Sequence, residues 1–186
     1  MYVQGVSTRK AATVVEQLCG CEVSSSQVSR TAALLDEKLE AWRNRELGEI
    51  VYLLLDARYE KVRQDGRIRD VAVLVAAGIN REGHRQVLGV SVSMSEQEVH
   101  SLRDALRWRT FLESLVKRGL RGVQLIISDD HAGLKAARQA VFGGIPWQRC
   151  QFHLQQNAQA YVPRNEMQKE VDEDIRMIFN APNRVR

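Results

Sequence analysis

At about residue 49 the chain changes its apolar period, and that change limits what it can fold into. Before it, apolar residues recur at helical spacing; after it they come as β-rich runs separated by helical stretches. Segments 50–55, 71–79, 86–92, 123–127 and 147–150 read as strands. Asn80-Arg81-Glu82-Gly83 supplies a hairpin turn, and 61–64 reads as a further short strand before an Asp65-Gly66 turn. A long amphipathic helix is predicted over 95–118, closed by Gly119. Another follows over 134–142, and helix resumes from Leu154 with a break at Pro163. Strands in succession, then alternating helices and strands, predict an α/β sheet with helices on its faces.

The first 48 residues read as a separate helical segment. Ala11, Ala12, Val14, Val15 and Leu18 give a helix over 8–18, with Ser7 or Thr8 as its cap and Gly20 as its stop. Ser24-Ser25-Ser26 offers caps for a second helix over 26–43, whose buried face is expected at Val28, Ala32, Leu35, Leu39 and Trp42. Helix, glycine turn and a polar helix start outline a helix-turn-helix, with Ser25, Gln27, Ser29 and Arg30 facing a DNA groove. A plain two-helix packing unit has the same outline.

Composition narrows the class. With 44% hydrophobic and 27% charged residues, the chain can bury a core. The longest apolar run, 71–79, is too short to cross a bilayer, so no membrane contact is expected. No basic-then-apolar leader opens the chain, and three sparse cysteines (Cys19, Cys21, Cys150) suit a reducing cytoplasm. Net charge is +4 with pI about 9.1. Residues 1–49 hold six basic and seven acidic groups, so the surplus lies in the remainder and permits a polyanionic partner.

Two aspartates carry the chemistry. Asp56 ends the run Val51-Tyr52-Leu53-Leu54-Leu55, and Asp129 ends Val123-Gln124-Leu125-Ile126-Ile127-Ser128. Carboxylates at strand ends sit at a sheet edge, where α/β folds bind ligands. On neighbouring strands they could share Mg²⁺ or Mn²⁺, the ions oxygen donors select. Such a pair of ions serves phosphoryl transfer. An Asp at a strand end also starts turns or caps helices, and Asp130 is assigned that plainer role. Cys150 and His153 form a Cys-x2-His pair. Zinc needs about four ligands, so a packed thiol and a hydrogen-bonded imidazole fit better. Arg103, Arg107 and Arg109 read as a solvated helix face.

Several longer stretches resemble one family. Tyr2 to Lys10, Val23 to Arg30, Leu55-Asp56-Ala57-Arg58-Tyr59-Glu60-Lys61-Val62-Arg63, Ser128-Asp129-Asp130-His131-Ala132-Gly133-Leu134 and Trp147-Gln148-Arg149-Cys150-Gln151-Phe152-His153 are similar, in order, to Mutator-type bacterial transposases. The resemblance implies a DDE transposase with an RNase H-like mixed sheet and flanking helices, preceded by a helix-turn-helix module. By the family's motif Asp56 is the first catalytic, metal-holding carboxylate and Asp129 the second. Cys150 and His153 match its supporting signature. The third carboxylate, a glutamate, would lie well beyond Asp129 after a helical insertion; Glu166, Glu170 and Glu173 are too near. Residues 49–186 therefore read as a core truncated before it, and 101–107 as extra sequence before Trp108.

The implied function is transposition of an insertion sequence by metal-dependent strand cleavage and joining. The implied partners are terminal inverted repeats and target DNA, with two copies for paired ends, in the bacterial cytoplasm at the nucleoid. The alternatives are a truncated DNA-binding protein that recognises element ends without catalysis, and a simple nuclease.

Overall fold

The computed structural model describes residues 7–64, 67–94, 100–163 and 165–182. The chain divides into two compact units, Met1–Arg45 and Glu46–Arg186.

The first unit holds α1 (Thr8–Cys19) and α2 (Ser25–Asn44). Ser7 caps α1, its Oγ accepting from the Lys10 N–H at 3.3 Å. Gly20 ends α1 in the left-handed region (φ 64°), where its N–H reaches the Glu16 carbonyl at 2.9 Å. A capping box starts α2. Ser24 Oγ accepts from the Gln27 N–H, and Gln27 Oε1 accepts from the Ser24 N–H at 2.8 Å. Replacing Ser24 with alanine should therefore cost about 1 kcal/mol, measured by chemical denaturation of the unit's helical signal. The expected buried face of α2 is only partly realised. Val28, Ala32, Leu39 and Trp42 are half-buried, Leu35 is exposed, and no residue of α2 is buried. Two helices alone leave each stripe open on one flank, and among the described residues of this unit only Ala11, on α1, is buried.

The second unit is a mixed five-stranded sheet with helices. Its strands are β1 (Tyr52–Gln64), β2 (Arg67–Ile79), β3 (Arg85–Met94), β4 (Leu125–Ser128) and β5 (Trp147–Arg149). Its helices are α3 (His100–Lys117), α4 (Ala132–Phe142), α5 (Gln151–Gln159) and α6 (Asn165–Asn180). The strand order is β3-β2-β1-β4-β5. β2 runs antiparallel to both its neighbours, while β1, β4 and β5 are parallel. The core lies between one sheet face and α3 and α4. Leu53, Leu55, Leu74, Leu88 and Ile126 meet Trp108, Phe111, Leu112 and Leu115 of α3, and Leu134 and Ala137 of α4. Among the described residues, no helix is long and apolar enough to cross a membrane.

Several expected boundaries move, among them that of β2, which starts at Arg67 and not at 71. β1 does not end at Asp56: it continues to Gln64 and absorbs the separate strand expected over 61–64. Pairing with β2 supplies ladder hydrogen bonds along its whole length, so the strand outlasts its apolar run. β4 starts two residues later than expected and reaches Ser128, leaving Asp129 just past its end. α3 starts at His100; the expected helical stretch over 95–99 lies outside the described residues.

α4 lies close against α3 because Gly133 has no side chain. A Cβ there would sit 3.0 Å from both the Ala105 backbone nitrogen and Asp104 Cβ. Gly133→Ala should cost about 1–3 kcal/mol in denaturant unfolding, because a backbone atom must give way.

Candidate functional site

Strand alternation sets where β1 points its side chains. Leu53 and Leu55 enter the core, so Asp56 projects from the opposite face, its side chain 61% exposed. Its Oδ1 accepts from the Ala57 N–H at 2.9 Å. The same oxygen lies 3.8 Å from His153 Nε2, beyond hydrogen-bond reach but within that of a charge pair. A cavity of about 320 Å³ joins Asp56 to Arg58, Arg85, Cys150, Phe152 and His153.

The Cys-x2-His stretch is placed by two strands. The Cys150 N–H donates to the Ser128 carbonyl at 2.6 Å, tying the end of β5 to that of β4. Cys150 then sits at the N-cap position of α5, and His153 faces β1 from the first turn. The expected hydrogen-bonded imidazole is not found: His153 Nδ1 is buried without a hydrogen-bond partner among the described residues. The Cys150 thiol is free and half-buried.

Asp129 lies one residue past β4. Its Oδ1 accepts from the His131 N–H at 3.3 Å. The last paired residues of β1 and β4 are Leu54 and Ile127, and each aspartate follows its partner by two positions. The register thus carries Asp56 and Asp129 to the same level of adjacent parallel strands. Their side chains nevertheless line different spaces. Asp129 borders a cavity of about 60 Å³ with Tyr59, Asp104, Arg107 and His131, on the α3 side of the sheet. Among the described residues, no group of three or more His, Cys, Asp or Glu side chains is gathered to hold a metal.

Asp104 is the residue that sequence reasoning missed. It is buried on α3, 3.5 Å from Arg107 Nη1 and 3.8 Å from His131 Nε2, and its Oδ2 has no hydrogen-bond partner among the described residues. The i,i+3 spacing of Asp104 and Arg107 gives no sign of burial; Arg107, expected on a solvated face, is half-buried beside Asp104, while Arg109 is exposed. Burial, and then the Asp104 carboxylate, push the Tyr59 phenol above its usual value near 10. Asp130 does not cap α4, whose N-cap position is His131. It pairs instead with Lys135 at 2.8 Å, and that hydrogen bond holds its carboxyl below the usual range.

In the first unit, Gln27 is committed to the capping box and Ser25 is half-buried. Ser29 and Arg30 are exposed one turn into α2.

The family profile described as "Transposase, Mutator family" matches residues 1–185. The chain belongs to that family. It is 61% identical over 186 residues to the transposase for insertion sequence element IS406 of Burkholderia multivorans, covering 99% of this chain and 46% of that protein. It is 49% identical over 165 residues to the transposase for insertion sequence element ISRM5 of Rhizobium meliloti, covering 88% of this chain and 40% of the relative. The transposase for element IS256 in transposon Tn4001 of Staphylococcus aureus is 39% identical over 181 residues, covering 96% and 44%. This Mutator-family chain thus spans less than half the length of these curated relatives.

Proposed function

We propose that this chain carries the strand-cleaving core of an insertion-sequence transposase, with Asp56 and Asp129 as its first two carboxylates. The observation that carries the reading is the register: Asp56 on β1 and Asp129, one residue past the parallel β4, each lie two positions beyond the Leu54–Ile127 pair, with their side chains lining separate spaces. A five-stranded sheet in the order β3-β2-β1-β4-β5, with β2 alone reversed, supports an RNase H-like core within residues 49–186. The capped pair α1–α2, with Ser29 and Arg30 exposed, supports a helix-turn-helix contact to DNA within residues 1–48. Kinship to proteins named as insertion-sequence transposases supports DNA as the partner.

The donor chemistry suits a hard divalent cation. Asp56 and Asp129 offer carboxylate oxygens, the type that Mg²⁺ and Mn²⁺ prefer. Cys150 and His153 offer sulfur and nitrogen, so His153 is left to flank and orient Asp56 from 3.8 Å. The remaining ligand would come from outside the described residues. Bound there, the ions would activate water or a 3′-hydroxyl and stabilise the leaving oxygen. The protein's part is positioning. β1 and β4 fix the level of the two carboxylates, and the Ala57 and His131 amides hold one oxygen of each. Pairing of two element ends would call for two copies of the chain, acting on DNA in the cytoplasm.

The test is cleavage and strand transfer on element-end duplexes with Mg²⁺ or Mn²⁺, comparing the chain with its Asp56→Asn and Asp129→Asn variants. Joining of strands separates a transposase from a nuclease. DNA binding without any metal-dependent cutting would favour the alternative for this chain, a DNA-binding protein that recognises element ends without catalysis.

A further inference from the structure

Beyond Glu60 and its partner Val71 the β1–β2 ribbon leaves the core. Residues 61–63 and 67–70 are all exposed, so no packing explains their composition. Alternation sorts their charges by face. Lys61 stands opposite Asp70 on the core side of the ribbon, a cross-strand pair of opposite charge, and Arg63 stands opposite Ile68. The other face is the one that presents Asp56. There Arg69 stands opposite Val62 and Arg67 opposite Gln64, beyond an Arg58–Glu60 ion pair. Among the described residues, Lys61, Arg63, Arg67, Arg69 and Arg85 all enter no ion pair; what marks Arg67, Arg69 and Arg85 is that the first two share the Asp56 face and have no acidic residue opposite, and Arg85 borders the Asp56 cavity.

We infer that the Asp56 face of this ribbon is a track for the phosphate backbone of duplex DNA. Arg85 lies near the reacting end and Arg69 and Arg67 at the far end. Antiparallel strand advances about 3.4 Å per residue, so the Arg69 and Arg67 levels lie roughly 20 and 27 Å from Asp56. A DNA strand rises about 3.4 Å per nucleotide, so these arginines meet phosphates about six to eight nucleotides from the strand position at Asp56. A two-stranded ribbon also has the width that the major groove admits. Uncompensated arginines in a row match a regular line of phosphates. The inference rests on the strand-cleavage reading only in taking Asp56 as the reacting end.

The test is fluorescence anisotropy of the full chain on a labelled duplex, without divalent metal, over a series of salt concentrations. Each phosphate contact contributes about 0.9 to the slope of log affinity against log salt. Arg67→Gln combined with Arg69→Gln should lower that slope by about 1.8, and Arg63→Gln, on the other face, should leave it unchanged. An unaltered slope in the double variant overturns the track. So does an equal loss in Arg63→Gln, or a wild-type chain that does not bind duplex. Slope loss without any wild-type cleavage would keep the track and remove the catalytic reading; cleavage with an unaltered slope would do the reverse.

Discussion

Asp56→Asn and Asp129→Asn should each lower metal-dependent strand cleavage on the order of 10³-fold, with the fold retained. Asparagine keeps the shape of aspartate and removes its charge, so the test isolates the carboxylate. The backbone hydrogen bonds survive, because an amide oxygen can accept from the Ala57 and His131 N–H groups as the carboxylates do. Asp56 is largely exposed, so its replacement leaves no buried gap. Several kcal/mol of charge stabilisation in the transition state would be lost, at about 1.4 kcal/mol for each tenfold in rate. Thermal melting and duplex binding by the same samples should match wild type. Full cleavage by either variant would remove that residue from the site.

Leu112→Ala should cost about 2–5 kcal/mol, a large share of the 5–15 kcal/mol that typically holds a domain together. Leu112 is completely buried on α3, within the cluster that includes Leu53, Leu55 and Ile126. Truncation loses transfer energy and leaves a cavity that rigid strands close poorly. Leu35→Ala on α2 serves as the contrast, since that side chain is exposed and its loss should cost well under 1 kcal/mol. Urea unfolding of both variants reads the difference directly. A small effect at Leu112 would place the core elsewhere than between the sheet and α3.

Where a residue's neighbours in sequence determine its surroundings, the fold was legible in advance. The Asn80–Gly83 turn announces itself because Asn80 Oδ1 accepts from the Glu82 and His84 N–H groups. The runs before Asp56 and Asp129 mark two strands because both are covered by helices. Other features depend on distant partners and left no local trace. Residues 61–64 were legible as a strand, but their continuity with the run before Asp56 in a single β1 depends on the register with β2. Asp104 is buried by the approach of α4 at Gly133, which no spacing within α3 reveals. The two aspartates share a level through parallel pairing, while the separate spaces their side chains line depend on β4 ending at Ser128.

The two neighbours of β1 are reached at very different cost in chain entropy. β2 returns directly, with Gln64 paired to Arg67, whereas β4 pairs Leu54 with Ile127 across roughly seventy intervening residues. Local pairings form sooner than distant ones. The β1–β2–β3 meander therefore has the shorter path to completion, and the closure that brings Asp129 level with Asp56 comes late. A chain still emerging from the ribosome would display the arginine-bearing ribbon before its second carboxylate is in place.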